Sequence, residues 1–101
     1  MNSRLEILNI LKQHNEELKT RFGLSGLVLY GSYAKGNQQP GSDIDLLYEL
    51  PEGSHMPLMR LQKLQHYISN LLAINKVEVV NRKYINPVVL KDAQQYAITI
   101  F

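Results

Sequence analysis

A chain of 101 residues, 45% hydrophobic and 20% charged, has the length for one domain with a modest core and the composition of a folded protein. A net charge of +2 and the lack of cysteine exclude the dense basic footprint of a dedicated nucleic-acid binder, a disulfide framework, Cys-ligated zinc and a thiol nucleophile. Residues 1–19, MNSRLEILNILKQHNEELK, hold no apolar core of the signal-peptide kind, and no apolar run reaches membrane-span length, so a soluble cytoplasmic protein is expected.

Ser3 and Glu6 have the spacing of a capping box, and Leu5, Leu8, Leu11 and Leu18 follow at roughly helical intervals. A helix is predicted over residues 3–21, with Gly23 just beyond its end. LVLYGS, from Leu27, is apolar and ends in glycine, which suits a buried strand running into a Gly-Ser turn. NQQPGS, residues 37–42, is loop chemistry around Pro40-Gly41. A second strand is predicted from Asp43 to Leu50, closed by Pro51 and Gly53.

Ser54 to Pro57 opens a further helix, with Leu58, Leu61, Leu64, Ile68, Leu71 and Leu72 on one face. KVEVV, residues 76–80, alternates around three valines and predicts a third strand. Asn86-Pro87 reads as a cap and first helical residue, so a last helix is predicted from Pro87 to Ala97, and the β-branched ITIF predicts a short extended end. No repeat, low-complexity tract or linker divides the chain, so residues 1–101 read as one domain. The order α-β-β-α-β-α predicts an α+β fold, a small sheet with helices packed on one face.

Side chains alternate along a strand, so Asp43 and Asp45 share a face while Ile44 and Leu46 take the other. Two carboxylates that close raise each other's pKa unless a cation lies between them. Oxygen-only donors suit magnesium or manganese, which keep waters and borrow phosphate oxygens from a substrate. Spacing alone leaves two readings open: half of a divalent-metal site, or a solvated strand entrance at which Asp43 caps a turn. Upstream, Gly31-Ser32 is either an ordinary turn or a concavity of backbone N–H groups that holds phosphate, with Lys35 adding positive charge nearby. Gly31 and Gly36 have the glycine spacing of a Walker A loop, but Asn37-Gln38 stand where Lys and Ser/Thr are required, and no G-x-G-x-x-G occurs. His14, His55 and His66 lack ligand spacing and read as surface residues. Tyr30 and Tyr33 flank the Gly-Ser turn, where one either packs on a nucleobase or closes the core.

Together these pieces form a pattern. GSYAKG followed by SDIDL resembles the signature of the DNA polymerase β-like nucleotidyltransferase superfamily. The short chain and its ending VEVVNRKYINPVVLKDAQQYA are similar to the minimal nucleotidyltransferase (MNT) proteins, which a chain of this size covers almost end to end. The resemblance implies the small mixed sheet of that fold. It implies that Asp43, Asp45 and Glu78 are the metal-binding and catalytic carboxylates, and that Gly31, Ser32 and Lys35 take the nucleotide's phosphates. ATP would be the substrate and two Mg2+ ions the cofactors, with Asp45 bridging both ions, Asp43 on the nucleotide side and Glu78 holding and deprotonating the acceptor side. The family more often has Asp at the third position, and Glu78 adds a C–C bond, ~1.5 Å, against the compact shell of magnesium.

MNT proteins resemble the antitoxin half of toxin–antitoxin pairs, and so short a chain leaves little room for an acceptor-binding module. The implied function is transfer of AMP from ATP onto a tyrosine hydroxyl of a cognate HEPN-type ribonuclease toxin, held in a hetero-oligomer, with no membrane and no direct nucleic acid involved. The alternatives are a catalytically weak or inactive antitoxin that inhibits by binding and occlusion, and a free-standing transferase acting on a small molecule.

Overall fold

The computed structural model describes residues 3–101, so Met1 and Asn2 of the predicted domain lie outside the described residues. The capping box forms as the sequence predicts: the Glu6 amide donates to the Ser3 hydroxyl and the Ser3 amide to the Glu6 carboxylate, each at 3.2 Å. The helix that follows is two helices. Nδ1 of His14 lies 2.8 Å from the Ile10 carbonyl oxygen, and the Asn15 side-chain amide donates to the Lys12 carbonyl. These side chains occupy carbonyls of the last turn of α1 (Arg4–Gln13), and the chain restarts as α2 (Asn15–Phe22). Gly23 then ends α2 in the left-handed conformation, φ 71°.

β1 (Gly26–Tyr30) leads without a gap into a five-residue helix, α3 (Gly31–Lys35). The Gly-Ser turn predicted from sequence is the first turn of this helix. After the 37–43 loop come β2 (Ile44–Glu49), α4 (Leu58–Leu72), β3 (Val77–Asn81), a 3-10 turn (Arg82–Tyr84), α5 (Pro87–Tyr96) and β4 (Ile98–Thr99). The sheet order is β3-β2-β1-β4. β1 runs antiparallel to β2 and β4, and β3 lies parallel to β2, so the sheet is mixed, as predicted.

The main core forms on the face carrying Leu27, Leu29, Ile44, Leu46 and Val79, covered by Ile7, Leu11, Leu18 and Phe22 of α1 and α2 and by Leu64, Ile68 and Leu72 of α4. The leucine stripe of α4 is therefore core, except that Leu58 in the first turn is 69% exposed. The α+β class holds, and α5 refines the expected single layer of helices. Its one buried residue, Ala93, packs with Val28 and Leu47 in a second cluster. Those two strand residues have the opposite parity to the main core, so α5 lies over the other face of the sheet. No helix of the described residues is long and apolar enough to cross a membrane.

Candidate active site

The face beneath α5 carries Asp45 and Glu78 on neighbouring strands. Registers place Tyr30 of β1 opposite Asp45 of β2, and Asp45 beside Glu78 of β3. The three form one row across neighbouring strands, about 4.8 Å apart along the hydrogen-bonding direction, and residues paired in this way point to the same side. Glu78 is therefore on the face of Asp45. Asp43 stands one residue ahead of β2, exposed at its entrance.

Electrostatics supports this convergence. Burial, then the charges of Glu78 and Asp43, push the Asp45 carboxyl up to about 6. Burial, then Asp45 and Glu78, push the Tyr30 hydroxyl up to about 12. Among the described residues none of the three carboxylates has an ion-pair partner; the three ion pairs present lie elsewhere. A half-buried carboxylate flanked by two exposed ones, none with a counter-charge, is the donor chemistry of a hard divalent cation.

The carboxylates are not drawn together into a ready-made cage: no cluster of three or more His, Cys, Asp or Glu side chains among the described residues is close enough to hold a metal ion. Magnesium does not need such a cage, because it commonly takes one or two carboxylates, several waters and the substrate's phosphates. The residues present fit the ion on those terms.

Gly31 abuts Asp45 at the end of the row. Its φ is +75°, and a Cβ built there would collide with the Asp45 carboxylate. Glycine is thus required twice, for the backbone conformation and for the space that Asp45 fills. As the first residues of α3, Gly31 and Ser32 carry amides without intrahelical acceptors. Tyr33 is buried and closes the core, whereas Tyr30 is half-exposed beside the carboxylates, which separates the two tyrosines that the sequence left equivalent.

Lys35 is held apart from this group. Its Nζ lies 2.8 Å from Asp92 Oδ2 and 5.3 Å from the centre of the Tyr96 ring, both on α5. The Asp92 carboxylate keeps the ammonium above its ordinary pKa. Asp92 and Tyr96 are the residues that sequence reading passes over, because nothing in their local pattern marks a partner far along the chain. Glu49, at the opposite end of β2, is engaged by Arg82 at 2.6 Å and plays no part in the row.

The sequence profile described as a nucleotidyltransferase domain matches residues 11–100. A Methanocaldococcus jannaschii protein named as a candidate protein adenylyltransferase, MJ0126, is 37% identical over 101 residues, covering 99% of this chain and 100% of that protein. Protein adenylyltransferase MntA of Thermococcus cleftensis is 32% identical over 96 residues, covering 94% of this chain and 93% of that one. A chain in the solved complex of tri-AMPylated Shewanella oneidensis HEPN toxin with MNT antitoxin matches with a TM-score of 0.65 at 14% identity, covering 93% of this chain and 71% of that chain. That last likeness is one of fold.

Proposed function

The chain belongs to the nucleotidyltransferase domain family, and from that premise we propose that it is an antitoxin protein adenylyltransferase. It would transfer AMP from ATP onto a tyrosine hydroxyl of a cognate HEPN-type toxin in the cytoplasm and so neutralise it. One observation carries the proposal: Asp45 and Glu78 lie side by side without a counter-charge, next to a glycine whose missing side chain leaves room for Asp45. The names of the relatives from Methanocaldococcus jannaschii and Thermococcus cleftensis support adenylyl transfer, and the Shewanella oneidensis complex supports the choice of acceptor.

Asp43, Asp45 and Glu78 would hold Mg2+, two ions in this reading, which supply charge neutralisation on the departing pyrophosphate and a more acidic acceptor hydroxyl. The Gly31 and Ser32 amides orient the terminal phosphates, so that the α-phosphorus is presented to the acceptor. The tyrosine oxygen forms the new P–O bond and the bond from the α-phosphorus to the pyrophosphate oxygen breaks. Glu78, exposed on the edge strand, is assigned to receive the hydroxyl proton. Asp45, half-buried in the middle of the row, is assigned to holding charge in place.

Incubating the protein with its cognate toxin, Mg2+ and ATP labelled on the α-phosphate should label the toxin, and the Asp43→Asn/Asp45→Asn variant should leave it unlabelled. Labelling that survives both substitutions sinks the assignment. The open arrangement of the carboxylates favours, as a second reading, an antitoxin that acts by occlusion. That reading requires the double variant to rescue cells from the toxin as well as the wild type does.

A further inference from the structure

Among the residues assigned to nucleotide binding, Lys35 is the one whose charged end is already taken. Asp92 and Tyr96 are four residues apart on α5 and so share a helix face, and both meet the Lys35 ammonium. The two partners differ in kind. The Tyr96 ring attracts the cation without cancelling its charge, whereas the Asp92 carboxylate cancels it. The pair is also within reach of water, with 31% of the Lys35 side chain and 55% of the Asp92 side chain exposed. Ion pairs in such surroundings are weak and yield to a stronger anion. A triphosphate, with several negative charges, is one.

Resting on the reading of Lys35 as a phosphate ligand, we infer that Asp92 competes with the nucleotide's phosphates for Lys35 and thereby sets the affinity for ATP. Asp92 is a positioning residue that acts through Lys35. It neutralises the lysine in the free protein and must release it when the nucleotide arrives. With Asp92 replaced by asparagine, the ammonium would still rest over Tyr96 and keep its full charge for the phosphates.

Titrating a non-hydrolysable ATP analogue with Mg2+ into wild type, Asp92→Asn, Asp92→Glu, Lys35→Met and the Asp92→Asn/Lys35→Met double variant tests this by calorimetry. Asp92→Asn should bind about two- to five-fold more tightly than wild type, the range expected for an exposed ion pair. Asp92→Glu, which keeps the pair, should bind as wild type does. Lys35→Met should bind more weakly, and adding Asp92→Asn to it should change nothing. The gain should shrink as salt is raised and, in turnover, should appear in KM rather than in kcat. An Asp92→Asn protein that binds no more tightly than wild type, or a gain that persists without Lys35, overturns the competition. If wild type binds the analogue in that case, the nucleotidyltransferase reading stands. Failure of every variant and of wild type to bind overturns both.

Discussion

Asp45 carries a conflict between stability and chemistry. Its carboxyl rises from an ordinary value of 3.8 to about 6 because the fold half-buries it beside Glu78 and Asp43. A raised carboxyl pKa means that the folded state prefers the proton, so stability is highest below the unfolded value and falls as pH climbs through about 6. In a dry site a shift of this size corresponds to about 3 kcal/mol. Water reaching the half-buried side chain screens that to about 1 kcal/mol. Asp45→Asn should therefore raise the neutral-pH stability of the free protein by about 1 kcal/mol, with the gain vanishing near pH ~4, while transfer falls by about 100-fold or more. Denaturant melts of both proteins across pH, beside a transfer assay, check both halves. Equal stabilities at neutral pH would mean that neither burial nor the neighbouring carboxylates disfavour the Asp45 charge in the folded chain. The Asp-x-Asp spacing made the pair legible in the sequence, whereas the Lys35–Asp92 contact was not, because it joins residues of two helices and neither carries a local signature of the other.

At the scale of the element, what was legible followed hydrophobic periodicity and capping, and what was not followed tertiary contacts. The valines of KVEVV and the Asn86 cap placed β3 and α5 to within a residue or so. The break at His14 depends on two side chains turning back onto carbonyls, and a five-residue helix such as α3 is too short to show a period. The glycines on either side of β1 test how much α3 depends on its start. Gly23 and Gly31 have nearly equal φ, +71° and +75°, but a Cβ at Gly23 meets nothing within 4 Å, whereas at Gly31 it runs into Asp45. Gly23→Ala should cost about 1 kcal/mol, the cost of backbone strain alone. Gly31→Ala should cost roughly 1–3 kcal/mol more, because it also overpacks the site, and should abolish nucleotide binding. Equal melting temperatures for the two variants would show that Asp45 can move aside freely. In α4, Leu64 is fully buried and Leu58 is 69% exposed, so Leu64→Ala should cost about 2–5 kcal/mol and Leu58→Ala about 0.5 kcal/mol or less by the same measurement.

Across the whole molecule the sheet has two unequal faces. α1, α2 and α4 bury the main core on one, and the other holds the small Val28–Leu47–Ala93 cluster beside the acidic row. Stability is thus generated on the face away from the carboxylates, which leaves the carboxylate face able to carry unbalanced charge. A cation that binds there relieves repulsion present only in the folded chain, so its effect on melting should depend on pH in a defined sense. Below about pH 6 the ion must displace a proton from Asp45, and the stabilisation from Mg2+ with ATP should be small. As pH rises past about 6 the proton is already gone and the full effect appears. At about a hundredfold excess over Kd, ligand linkage contributes about 2.7 kcal/mol, a rise in Tm of roughly 10 °C or more for a domain of this size. Chelation with EDTA should remove most of that rise, and Asp45→Asn should show little at any pH. An upward shift in Tm that is the same at pH ~5 and pH ~8, or that survives EDTA, would place nucleotide binding somewhere other than the acidic row.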